Sequence, residues 1–134
     1  MGGLASMTSY LSDRYGANVT GYGRYFGAPS TNGDNYTCAR EAAIFLKTLN
    51  DRNEYGRLTY HPENFGITAP AGANLYAQIG TENNSVRNNL NLFGIVKGAT
   101  SDYCVVILTQ NGSSANSFIS DLLAVIHTKM EGLH

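Results

Sequence analysis

No apolar run in the 134-residue sequence approaches the roughly 18 to 20 residues that span a bilayer, so no membrane partner is expected. The first residues also lack a charged region followed by an apolar stretch of the signal-peptide kind. Charge is sparse: 14% of residues are charged, the formal balance is -1, and Lys and Arg are scattered rather than clustered. A polyanion is held by a basic patch, and without one no nucleic-acid partner is expected. The two cysteines, Cys38 and Cys104, form neither a disulfide framework nor a metal-ligand spacing; they sit inside apolar segments, as small hydrophobic side chains do. His61, His127 and His134 have no His or Cys at a ligand spacing. Neither a metal site nor a cofactor is expected.

What is present is enough for one compact domain, residues 1–134, and too little for two. Residues 4–14, LASMTSYLSDR, carry Leu4, Met7 and Leu11 at helical spacing, and Gly16 stands where a helix would stop. Residues 15–33 are rich in Gly, Tyr, Asn and Ser and have neither the helical nor the strand period, which reads as a long ordered loop. Such a loop either carries function or is packed by its own aromatics. Tyr22, Arg24 and Tyr25 are its candidate contacts to a carbohydrate or peptide, with loop-packing tyrosines as the alternative. Asp34 and Asn35 are positioned to cap a helix over NYTCAREAAIFLKTLN, whose Ala39, Ala42, Ala43, Leu46 and Leu49 form one apolar stripe. Four matches to the glycosylation acceptor pattern, beginning at Asn18, Asn35, Asn83 and Asn111, carry little weight in an Asn-rich chain.

After an irregular segment at 51–72 the period changes. Leu75, Ala77 and Ile79 alternate with Tyr76 and Gln78, and Leu90, Leu92, Gly94 and Val96 alternate with Asn89, Asn91, Phe93 and Ile95. The run YCVVILT at 103–109 is apolar on both faces, which suits an interior strand. Short connections predict three antiparallel neighbours. A final helix over 115–131 has Ile119, Leu122, Leu123, Ile126 and Met130 on one face. The expected class is α+β: a three-stranded antiparallel sheet with flanking helices.

Three stretches in this order carry a resemblance: GGLASMTSYLSDRYGANVTGYGRYFG, DNYTCAREAAIFLKTL and LYAQIGTENNSVRNNLNLFGIVKGATSDYCVVILTQN. Together they resemble the C-terminal part of the class A β-lactamases and their penicillin-binding relatives. The resemblance implies the C-terminal portion of the β-lactamase fold, and a substrate-facing strand whose Lys-Thr-Gly signature supplies a cation, a hydroxyl and close backbone approach. At that place the chain has Gln78, Ile79 and Gly80, followed by Thr81. Gln lacks the charge that makes a hydrogen bond to a carboxylate about twice as strong. Alternation puts Ile79 and Thr81 on one face and Gln78 and Gly80 on the other.

The family's nucleophile is the serine of Ser-x-x-Lys, and no serine from Ser6 to Ser120 is followed three positions later by Lys. Ser-Asp-Asn is also absent; the nearest strings are Gly33-Asp34-Asn35 and Ser101-Asp102-Tyr103. None of Glu41, Glu54, Glu63, Glu82 and Glu131 lies within 15–33, where the family places the deacylating Glu. The expectation is a truncated β-lactamase-like domain without its N-terminal half. It has no catalytic residues of its own and at most weak affinity for a peptidoglycan peptide or a β-lactam. Two alternatives stand beside it: an acyl-transfer enzyme when the parent chain is intact, and a small α+β interaction or ligand-binding module unrelated to hydrolases. The resemblance alone implies an extracellular or cell-envelope location. It also implies that strand 103–109, having lost its N-terminal partners, is an unpaired apolar edge and pairs with another copy. The alternative there is cover from the loop at 15–33 or the N-terminal segment.

Overall fold

A computed structural model describes residues 2–25, 28, 31, 33–83, 88–110, 112 and 114–133. The elements follow in the order α1 (Leu4–Tyr15), α2 (Ala39–Asp51), two 3-10 turns (Tyr55–Arg57 and Pro62–Phe65), β1 (Asn74–Asn83), β2 (Asn88–Lys97), β3 (Asp102–Ile107) and α3 (Ala115–Glu131). This is an α+β arrangement. The chain divides into two compact units at 45/46, inside α2.

In the first unit, α1 ends where its sequence says it should. Gly16 adopts φ 64°, a left-handed conformation that costs a residue without Cβ little, and its N–H donates to the Ser12 carbonyl at 2.9 Å. The following loop is pinned by one antiparallel bridge, Gly21 to Tyr36, with reciprocal N–H to O bonds of 3.0 and 3.1 Å. That bridge corrects the expected start of α2. Asn35 does not cap the helix; its Oδ1 accepts from the N–H groups of Gly23 and Arg24, both at 3.1 Å. Tyr36 is held extended by its bridge, so helical geometry begins only at Ala39. Tyr15 makes edge contacts with Tyr10 and, on α2, with Phe45.

The second unit is built on the sheet. The strand order is β1-β2-β3, all antiparallel, with Ala77 opposite Gly94 and Gly94 opposite Val105. One face carries Ala77, Ile79, Leu92, Val96, Tyr103, Val105 and Ile107, buried together with Ile119 and Leu123 of α3. Gly94 lies in the middle of that face, where an added Cβ would come within 2.9 Å of Leu75 Cδ1 and the Leu75 side chain would have to shift to admit it. The half-buried Leu122, Ile126 and Met130 complete the packed side of α3, as its periodicity predicts. The opposite face carries Tyr76, Gln78, Phe93, Ile95, Cys104 and Val106, with Ile95 fully buried.

β3 is an edge strand of the sheet, with apolar side chains on both of its faces. Tyr103, Val105 and Ile107 are buried on the α3 side, while Cys104 and Val106 are half-buried on the other. Apolarity on both faces reports the layers above and below a strand; it does not report a neighbour beside it.

Candidate functional site

Strand alternation separates the residues at the signature position. Ile79 is 5% exposed and belongs to the core under α3, and Thr81, on the same face but beyond that core, is exposed. Gln78 pairs with Phe93 and Gly80 with Asn91 on the opposite face. A Cβ built on Gly80 would meet Asn91 Cβ and the Phe93 ring at an ordinary 3.8 Å, so its own neighbours do not require glycine there.

Thr81 opens onto a groove of about 420 Å³ at the end of the sheet. Its rim consists of Thr81, Asn83, Asn88 and Asn89 from the β1-β2 hairpin and Asn116 from α3, over the apolar Phe65 and Leu90. Asn and Thr each offer both a donor and an acceptor without a charge, which matches peptide groups and hydroxyls better than a carboxylate. One wall is held by a side chain the sequence reading missed. Beyond the end of β3 the Thr109 hydroxyl takes over from the ladder: it donates to the Leu90 carbonyl at 2.8 Å and accepts from the Leu90 N–H at 3.0 Å. The Thr109 N–H donates to Asn91 Oδ1 at 2.8 Å, and Gly112 N–H reaches the Asn88 carbonyl at 3.2 Å. Alternation counts Thr109 and Asn91 as polar positions and is silent on their being a pair.

The loop candidates lie in the first unit. Arg24 is turned onto its own loop, with Nη1 donating to the Ala28 carbonyl at 3.0 Å and Nη2 3.7 Å from Asp34. Tyr22 borders an apolar groove formed with Met7, Tyr10 and Leu11 on α1, and its N–H donates to Thr8 Oγ1 at 3.1 Å. Tyr25 is exposed.

The buried carboxylate in that unit is Glu41, 4% exposed in the first turn of α2. It accepts from the Thr20 hydroxyl at 2.6 Å, from Thr20 N–H at 2.7 Å and from Val19 N–H at 2.9 Å. The Thr20 hydroxyl above all, then the backbone N–H groups, hold its pKa below the ordinary carboxylate range against the opposing effect of burial. Its ionised oxygens are therefore fully engaged in anchoring the loop. Glu131, in the second unit, does the same for the β2-β3 turn, accepting from Thr100 Oγ1 at 2.8 Å and from the N–H groups of Thr100 and Ser101 at 3.1 Å each. The Thr100 hydroxyl is the largest cause of its lowered pKa. Nearby, the Tyr103 hydroxyl meets His127 Nδ1 at 3.2 Å, and burial pushes the Tyr103 pKa up.

Four of the described serines are used structurally. Ser12 donates to Asn18 Oδ1, Ser101 to the Met130 carbonyl, Ser117 to the Ser114 carbonyl and Ser120 to the Asn116 carbonyl. Lys47 pairs with Asp51 and Lys97 with Asp102. Among the described residues no serine hydroxyl is hydrogen-bonded to a lysine or histidine, and burial pushes the Cys104 thiol up, away from the reactive thiolate. Among those same residues no group of three His, Cys, Asp or Glu is placed to hold a metal ion, and no helix is long and apolar enough to cross a membrane. No family model matches the chain, and no curated protein matches it.

Proposed function

We propose that this chain is part of a β-lactamase-like, penicillin-recognising domain of the cell envelope or extracellular space, and that it binds ligand without acyl transfer. The observation that carries the second half is Ile79. Where the Lys-Thr-Gly signature places a hydroxyl facing substrate, this strand has an aliphatic side chain packed into the core under α3. Gln78, on the opposite face, supplies no cation. The order helix, loop, helix, three antiparallel strands, helix supports the first half, since the resembling stretches occur in that order. A parent chain that brings its own serine and lysine from upstream would make the same strand part of an acyl-transfer site.

The amide-lined groove at Thr81 favours a second reading, a small α+β module that takes a neutral peptide there. Amide-resolved NMR titration with a β-lactam and with a neutral peptidoglycan stem peptide distinguishes the two. The first reading expects saturable shifts at residues 78–81 with both ligands and full recovery on dilution. The second expects shifts at Thr81, Asn83, Asn89 and Asn116 with the peptide alone. Unchanged spectra with both ligands contradict both readings.

A further inference from the structure

We propose that two copies of this chain join edge to edge through β3, in one antiparallel register with Val105 on the two-fold axis. The proposal rests on the sheet alone and is independent of the hydrolase resemblance.

In an antiparallel ladder each residue directs both its N–H and its C=O to one side, and successive residues alternate sides. Gly98 N–H donates to the Ser101 carbonyl at 3.0 Å, and those two residues continue the β2-β3 register in which Lys97 faces Asp102. Counting along the strand, Tyr103, Val105 and Ile107 bond to β2, and Asp102, Cys104 and Val106 turn their backbone groups to the open edge. The far side of the sheet agrees. Tyr60 N–H donates to the Ala77 carbonyl at 3.1 Å, so Ala77 bonds outward from β1, and its partner Gly94 bonds toward Val105.

The two edges are treated differently. β1 is capped by the Tyr60 bridge, whereas among the described residues no bridge or strand pairs with the outer side of β3. Within β3, residues 103–107 contain no Lys, no Pro and no charge, so the side-chain devices that protect an edge are missing there.

A second β3 fits this edge in a definite way. Opposing residues must share a face, and outward-bonding residues must meet each other. Overlapping all of 102–107 breaks both conditions, because it sets Cys104 opposite Val105. Shifting by one residue satisfies both: in one direction 102–106 overlap and the charged Asp102 falls opposite Val106, and in the favoured direction 103–107 overlap and Asp102 stays outside. Cys104 then exchanges N–H to O bonds with Val106 of the other copy on either side of the axis, Val105 faces Val105 in a non-bonded pair, and Tyr103 faces Ile107. Aromatic and β-branched cross-strand pairs of this kind stabilise a sheet by about 0.2–1 kcal/mol each. No like charges meet, since Asp102, already paired with Lys97 at 2.7 Å, lies outside the overlap.

The test is solution mass by light scattering and sedimentation across a hundredfold concentration range, with hydrogen exchange on the same samples. The expected species has twice the 14.4 kDa chain mass. The amides of Cys104 and Val106 should be protected at high concentration and lose that protection on dilution, while those of Val105 and Ile107 stay protected. Val106→Pro removes an outward N–H without touching the β2 ladder and should give a folded monomer. Val105→Cys should form an intermolecular disulfide that peptide mapping assigns to 105 with 105. A wild-type monomer at every concentration overturns the proposal, whether its Cys104 and Val106 amides exchange freely or are covered within the chain. So does a dimer in which dilution changes exchange elsewhere and the 105 cysteines do not join. If Val106→Pro fails to fold, the wild-type exchange pattern and the Val105→Cys map still decide.

Discussion

Replacing Leu123 by alanine measures how firmly α3 is docked on the sheet. Leu123 is fully buried in the core shared with Leu92, Val96 and Ile119. The substitution removes three carbons from beneath the helix, which at about 0.8 kcal/mol per buried methylene is roughly 2.4 kcal/mol of transfer free energy. Incomplete collapse of the resulting cavity adds to this, and Leu→Ala at such sites costs about 2–5 kcal/mol in all. Alanine's higher helix propensity returns a few tenths of a kcal/mol at most. A net loss of about 3 kcal/mol is expected, against a total stability of about 5–15 kcal/mol for a domain, and the melting temperature should fall by about 10 to 20 °C. Urea unfolding followed by far-UV circular dichroism is the assay, with Val125→Ala, on the exposed side of the same helix, as the control expected within about 0.5 kcal/mol of wild type. A loss below about 1 kcal/mol at Leu123, or equal losses at both sites, would refute the packing described for α3.

Glu41 and Glu131 are held below the ordinary carboxylate range when folded, so the unfolded chain binds more protons in acid. Their stabilisation is fully present above the unfolded value near 4.3 and is lost as pH falls through the folded values. Melting temperature should therefore drop most steeply below about pH 4.3, and Glu41→Gln should flatten the drop while already lowering stability at pH 7; an unchanged slope would assign the acid sensitivity elsewhere. Thr109→Val strands the Leu90 N–H and carbonyl and should cost about 1–3 kcal/mol. The Leu90 amide should exchange faster in that variant, and an unaltered rate would mean that water replaces the hydroxyl without loss.

The sheet was legible because Leu75, Ala77 and Ile79, and then Leu90, Leu92 and Val96, alternate cleanly and the turns between strands are short. The packed face of α3 was legible for the matching reason at helical period. The start of α2 was misread because Asn35 is a good cap in isolation, and only the fold shows that its side chain is already committed to Gly23 and Arg24. Glu41 escaped because apolar periodicity ignores a carboxylate, although three donors 21 and 22 residues upstream bury it. At the candidate site, alternation gave the facing of Gln78, Ile79, Gly80 and Thr81. The groove beside Thr81 was invisible, because it depends on the hairpin and the start of α3 meeting at one end of the sheet.

The most direct test of binding without acyl transfer is the intact mass of the folded chain after prolonged incubation with a reactive penicillin, since acylation leaves a covalent mass that needs no turnover to be seen. Among the described residues no serine hydroxyl has a lysine or histidine partner to activate it, so the expected mass is an unchanged 14.4 kDa. A stoichiometric adduct on any serine would contradict the account, because it would require an activated hydroxyl where the described residues supply no activating partner.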